Sequence, residues 1–115
     1  MNSKNQIFDL ISLIKVFDAN SVSDKDIDVL REVDVNNQDQ LLKAIDKLLI
    51  PEFRSFLPSA QTRLTTLLRS HLENFSEDFE ILFDRVELIF KTSIIDRRAF
   101  MQCVLQGIEH SMISR

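Results

Sequence analysis

The stretch FDANSVSDKDIDVLREVD, residues 17–34, looks at first glance like a calcium loop running into a helix. An EF-hand loop needs oxygen ligands at positions 1, 3, 5 and 12 and glycine at position 6. A loop opening at Asp18 places Asn20 at position 3, but Val22 at 5, Ser23 at 6 and Val29 at 12. A loop opening at Asp24 gains Asp26 and Asp28, then puts Val29 where glycine is needed and Val35 where the bidentate acid is needed. Neither frame holds calcium. The aspartates instead read as the start of a helix and a solvated face.

Other reactive side chains are sparse. The single cysteine, Cys103, and the two histidines, His71 and His110, lack the paired spacing of a zinc site. Cys103 sits within AFMQCVLQGI, an apolar helical face, where a thiol is an inert packing group. With one glycine, Gly107, the chain has no glycine-rich phosphate loop, and it has no nucleophile elbow. Glu80 and Asp84 are one helical turn apart, as are Glu87 and Lys91; the first pair reads as an acidic face and the second as a stabilising ion pair. No metal, no cofactor and no catalytic residue are expected.

The charge balance narrows the partners. Net charge is −4, against the positive field that phosphate binding needs. Arg54, Arg63, Arg69 and His71, with Arg97 and Arg98 further on, are the best case for nucleic acid, but no tyrosine or tryptophan accompanies them for stacking on bases. The acids form two groups. Asp24, Asp26, Asp28, Glu32, Asp34 and Asp39 lie in the first half of the chain, and Glu73, Glu77, Asp78, Glu80 and Asp84 in the second. Both groups serve solubility at least, and both could meet a basic protein surface.

The elements that must position these residues are helices. One glycine and two prolines in 115 residues leave little material for a turn-rich β protein. Residues 6–18 are apolar around most of a helix. Ser23 with Asp26 opens a second helix, and Asn37 with Gln40 a third, which Pro51 is expected to end. Residues 52–57 then read as a turn that tucks Phe53 and Phe56 inward. Pro58 and Ser59 open a fourth helix with Leu64, Leu67, Leu68 and Leu72 on one stripe. Ser76 caps a fifth, whose stripe Phe79, Leu82, Phe83, Val86, Ile89 and Phe90 is the strongest in the chain. Ser93 with Asp96 opens the last, with Phe100, Cys103, Val104, Gly107, Ile108 and Ser111 inward.

The expected fold is therefore all-α: one domain over residues 1–115, a compact bundle or orthogonal array of about six helices. The amino-terminal run is broken by Asp9 and Lys15, so it does not read as a secretory leader. Together with a lone cysteine this points to a cytoplasmic protein. No apolar stretch is long enough for a membrane span. The first expectation for function is a non-catalytic binding protein, in its sharpest form an immunity protein or antitoxin masking the active site of a basic partner such as a toxin nuclease. The second is a helical adaptor or chaperone that holds an apolar partner helix, with surface around Ile81 and Leu88. A nucleic-acid-binding regulator ranks third. The surplus apolar surface of the first and fifth helices fits either a homodimer or central burial.

Overall fold

The computed structural model describes residues 7–113. Gln6, the expected first residue of the first helix, lies outside the described residues. Six helical segments follow. α1 is a 3-10 turn Phe8–Leu10, an α turn Ile11–Ile14 and a 3-10 turn Lys15–Phe17 in succession. The 3-10 turns suit its sequence, because residues three apart eclipse in that geometry. Ile7, Leu10 and Leu13 are buried on that spacing, with Ile14 and Phe17 beside them.

α2, Asp24–Leu30, starts where Ser23 accepts a hydrogen bond from the Asp26 N–H. α3 begins with Gln38–Ala44, capped by Asn37 accepting from the Gln40 N–H. Both caps satisfy amide groups that the first helical turn leaves without partners.

Pro51 does not end α3. The helix widens into a π turn, Ile45–Leu49, and runs on as Ile50–Ser55. The Ile50 N–H reaches back five residues to the Ile45 carbonyl. In a regular α-helix the Pro51 ring would collide with the carbonyl four residues earlier. The extra residue in the π turn moves that carbonyl out of register, and the proline sits at the start of the next α segment. Phe53 is buried and Phe56 half-buried, so the inward placement of both rings holds although the segment is helical.

α4, Pro58–Glu73, buries Leu64, Leu68 and Leu72. It also buries Gln61, whose side-chain amide donates to the Arg54 and Phe56 carbonyls and so ties down the α3–α4 turn. α5 is only Glu80–Phe83. The strongest helical stripe of the sequence thus ends after one turn, and residues 84–96 leave the helix. Ala19 N–H donates to the Glu87 carbonyl, Glu87 N–H to Asp18 Oδ1, and Lys91 N–H to the Val33 carbonyl. These partners replace the bonds a helix would have supplied. Val86, Ile89 and Phe90 still pack against the core. Glu87 and Lys91 no longer share a helical face, so their expected ion pair is lost. Among the described residues there is no strand, only an isolated bridge between Asp18 and Leu88.

α6, Arg97–Ile113, starts four residues later than Ser93. Asn36 holds residues 93–95 in another path, donating to the Ser93 carbonyl and accepting from the Ile95 N–H. Asp96 caps α6 by accepting from the Ala99 N–H. Phe100, Cys103, Val104, Ile108 and Ser111 are buried as expected, with Met101. α6 packs on α4 and α3, and α1 packs on α4 and on the π turn. The approach of α6 to the π turn needs Gly107: a Cβ there would stand 2.6 Å from Ile45 Cγ2. The Cα radius of gyration is 13.4 Å, the value of a compact domain of this length. No helix among the described residues is long and apolar enough to cross a membrane.

Candidate protein-binding surface

The two groups of acids meet different fates. On and after α2, Asp24, Asp28, Glu32 and Asp39 are exposed, and Asp26 is half-buried. None of these carboxylates has a hydrogen bond or ion pair among the described residues. Asp34 is turned inward instead: its Oδ1 accepts from Thr92 Oγ1 at 2.9 Å and from the Asn36 N–H. In the second group Glu73, Glu80 and Asp84 are exposed and unpaired among the described residues. Asp78, also exposed, accepts from the Glu80 N–H. Glu77 holds His71 Nδ1 at 2.9 Å with one oxygen and the Phe79 N–H with the other.

Six of the seven described arginines run the other way, while Arg31 is exposed and unpaired among the described residues. Arg63 pairs with Asp9 at 2.9 Å and Arg69 with Glu109 at 2.8 Å. Arg54 donates to the Ser111 carbonyl and Arg97 to the Asp78 carbonyl. Arg85 lies over the Phe8 ring, 4.7 Å from its centroid. Arg98 binds the carbonyls of Leu72, Asn74 and Glu77 at 2.7–3.0 Å. The cluster that made the best sequence case for nucleic acid is largely spent on internal contacts.

Arg98 builds the most distinctive feature of the surface, the loop from Asn74 to Phe79 between α4 and α5. Its fork caps the carboxyl end of α4 and ties the start of the loop to Glu77. Asn74 Oδ1 accepts from the Ser76 N–H, closing a further turn. Phe79 follows with φ 63°, a left-handed conformation that a bulky residue rarely adopts and that costs about 1–2 kcal/mol. Its fully buried ring and the bond from Glu77 hold it there.

This loop carries Phe75. Eight of the nine phenylalanines lie in the core or pack against it, whereas Phe75 is 91% exposed. By helical phase it continues the Leu64, Leu68 and Leu72 stripe. The helix stops at Glu73, and Asn74 at φ −86°, ψ 104° turns the chain outward. Sequence reasoning placed Phe75 just past a buried stripe and missed its exposure; the asparagine after the last helical turn was the available signal. Of the apolar residues expected at the surface, Ile81 is exposed, but Leu88 is half-buried at its bridge to Asp18.

A groove of about 440 Å³ lies elsewhere, between the start of α3 and the first half of α6. Val35, Leu41, Phe100 and Cys103 line it, with Ile95, 85% exposed, at its edge and Gln38 and Gln106 bridging it at 3.3 Å. Burial pushes the Cys103 thiol above its usual range, which keeps it protonated. Neither His71 nor His110 is hydrogen-bonded to it. Native protein is expected to react with Ellman's reagent at pH 8 at least about tenfold more slowly than the urea-unfolded chain, and to gain rate only as the pH climbs further. A native thiol as fast as the unfolded one contradicts this assignment.

Among the described residues no group of three His, Cys, Asp or Glu side chains could hold a metal ion. No protein-family model, curated protein or solved structure matches this chain. What this surface offers is carboxylates and one aromatic ring turned to solvent, on a scaffold that uses six of its seven described arginines internally.

Proposed function

We propose that this chain is a non-catalytic protein-binding domain that captures a basic partner, acting as an inhibitor of the immunity-protein or antitoxin kind. The observation that carries the reading is the contrast between five arginines held in internal contacts and a larger set of free carboxylates, on a chain whose net charge is −4. The guanidinium groups of Arg54, Arg63, Arg69, Arg97 and Arg98 engage this protein's own carbonyls and carboxylates, while Asp24, Asp28, Glu32, Asp39, Glu73, Glu80 and Asp84 face solvent unpaired among the described residues. Such a surface attracts cationic proteins, speeds their encounter and selects among them. Masking the lysines and arginines that a toxin nuclease needs for phosphate would inhibit it without chemistry.

The test is affinity capture from the native cell in low salt, followed by a salt step. A basic protein is expected to elute as the Debye length falls below about 5 Å. Reversing Asp24 and Asp28, or Glu73 and Glu80, to lysine is expected to cut capture by about tenfold, a typical effect of losing charge steering. A partner that survives high salt and ignores both reversals rejects the charge reading. It would favour the second one, an adaptor for an apolar helix, for which the groove edged by Ile95 is the supporting observation.

A further inference from the structure

Within that reading, we propose that the α4–α5 loop is the recognition site and that Phe75 is its anchor, seated in the apolar notch of a basic amphipathic helix on the partner. The proposal rests on the protein-binding reading above and adds the place and the chemistry of the occupant.

Three observations meet at this loop. The first is that Phe75 alone among nine phenylalanines stands in water. A ring so placed loses the burial that the other eight gain, and rings of this kind carry much of the energy in protein interfaces once a partner covers them. The second is that the loop is fixed. Arg98 grips the Leu72, Asn74 and Glu77 carbonyls, Asn74 and Glu77 hold the Ser76 and Phe79 amides, and the adjoining His71–Glu77 contact is mostly buried. An anchor on a fixed loop loses little freedom on binding, so more of its burial energy appears as affinity. The third is charge. The carboxylates of Glu73, Glu80 and Asp84 flank the ring along the chain and are unpaired among the described residues, whereas the nearby Arg97 and Arg98 are bound to loop carbonyls.

These features select the occupant. An aromatic anchor flanked by carboxylates calls for an apolar seat bordered by cations. A helix with apolar residues at i, i+3, i+4 and i+7 and lysine or arginine between them presents that pattern on one side. An extended peptide pairing by its backbone would need a free strand edge, and the described residues contain no strand.

Synthetic peptides test this without knowledge of the natural partner. The probe is an 18-residue leucine–lysine peptide with leucines in helical period. Its controls are a scrambled peptide of the same composition and an oligolysine of the same charge. Binding is read by fluorescence anisotropy at two salt concentrations. The periodic peptide is expected to bind most tightly, and Phe75→Ala to weaken it about tenfold or more, as loss of an anchor does. Glu73→Gln/Glu80→Gln/Asp84→Asn is expected to weaken all three peptides and flatten the salt dependence. Because Phe75 is exposed, the variant should keep the parent's helical circular dichroism and melting temperature, so a binding loss is not a folding loss. Equal binding of the periodic peptide by the parent and Phe75→Ala overturns the anchor while the charge reading stands, provided the neutralised variant still loses affinity. Indifference to the neutralised variant as well overturns both. A concentration-dependent dimer of the parent that Phe75→Ala abolishes overturns the proposed occupant in favour of a second copy.

Discussion

Phe100→Ala lowers the unfolding free energy by about 4 kcal/mol, within the range for truncating a buried phenylalanine. The ring is 2% exposed and sits near the start of α6. It packs edge-on to Phe83 at 5.4 Å, to Phe90 at 6.0 Å and to Phe17 at 6.3 Å between centroids. Those partners come from α5, from the non-helical segment 84–96 and from α1. One side chain therefore joins three parts of the fold to α6. Edge-to-face pairs add about 0.5–1.5 kcal/mol beyond the area they bury. Alanine would leave a void bordered by rings from separate elements. For a domain whose whole stability is about 5–15 kcal/mol, the loss is about a quarter or more. Urea unfolding followed by circular dichroism measures it as a fall in midpoint at constant slope. Phe100→Leu, which refills most of the volume, should recover more than half. A loss under about 1 kcal/mol for the alanine variant would mean that the cluster repacks freely and is not a junction.

The same cluster shows where sequence periodicity serves and where it fails. Phe79, Leu82, Phe83, Val86, Ile89 and Phe90 are spaced for a helix, and every one of them does face the core. Yet only Glu80–Phe83 is helical. Apolar spacing reports which residues are buried, and an element follows from it only when the backbone has no better partner. Here Asp18, Ala19 and Val33 offer hydrogen bonds to Glu87 and Lys91 from loops far along the chain, which no local window contains. The β-branched and aromatic content of the segment tolerates an extended path as well. Local caps are legible in part: Ser23 and Asn37 cap the helices they were expected to cap, whereas Ser76 does not cap the fifth, which starts only at Glu80 behind Phe79 with no side-chain cap. Pro51 fails for a third reason. A proline rule assumes α geometry, and one residue of π slack in Ile45–Leu49 removes the collision behind the rule.

The surface was less legible than the core. Both acidic groups can be read from the sequence, but whether a carboxylate is free or engaged cannot. Asp34 and Glu77 look like their neighbours in the sequence, yet Asp34 braces Thr92 and Glu77 braces His71 and Phe79. The arginines are ambiguous in the same way, since a guanidinium that binds phosphate and one that caps a helix have identical sequence signatures. Phe75 differs from the other phenylalanines only through Asn74, one residue whose backbone turns the chain.

Arg98 is where fold and candidate site depend on each other most directly. Removing its fork in Arg98→Ala is expected to lower stability by about 2–3 kcal/mol, because three carbonyls lose a charged donor at once and that of Leu72 is left in a partly buried setting. Arg98→Lys should recover less than half. A single ammonium on a flexible stem cannot reproduce a planar fork that spans the end of α4 and the following loop at Asn74 and Glu77. Urea midpoints of the two variants measure these losses, and a shift below about 0.5 kcal/mol for the alanine variant would show that solvent caps α4 equally well. The loss should also be unevenly distributed. With Leu72, Asn74 and Glu77 released, Phe79 has fewer constraints holding it at φ 63°, so the strain there can relax and the loop can open. Amide exchange at Phe79 and Glu80 should then accelerate well beyond what the global destabilisation predicts, while Leu64 and Val104 in the cores of α4 and α6 follow the global change. Uniform acceleration would place Arg98 in the general fold, with no special hold on the loop. Selective acceleration would show that the geometry presenting Phe75 to solvent is set by a residue 23 positions away, at the start of a different helix.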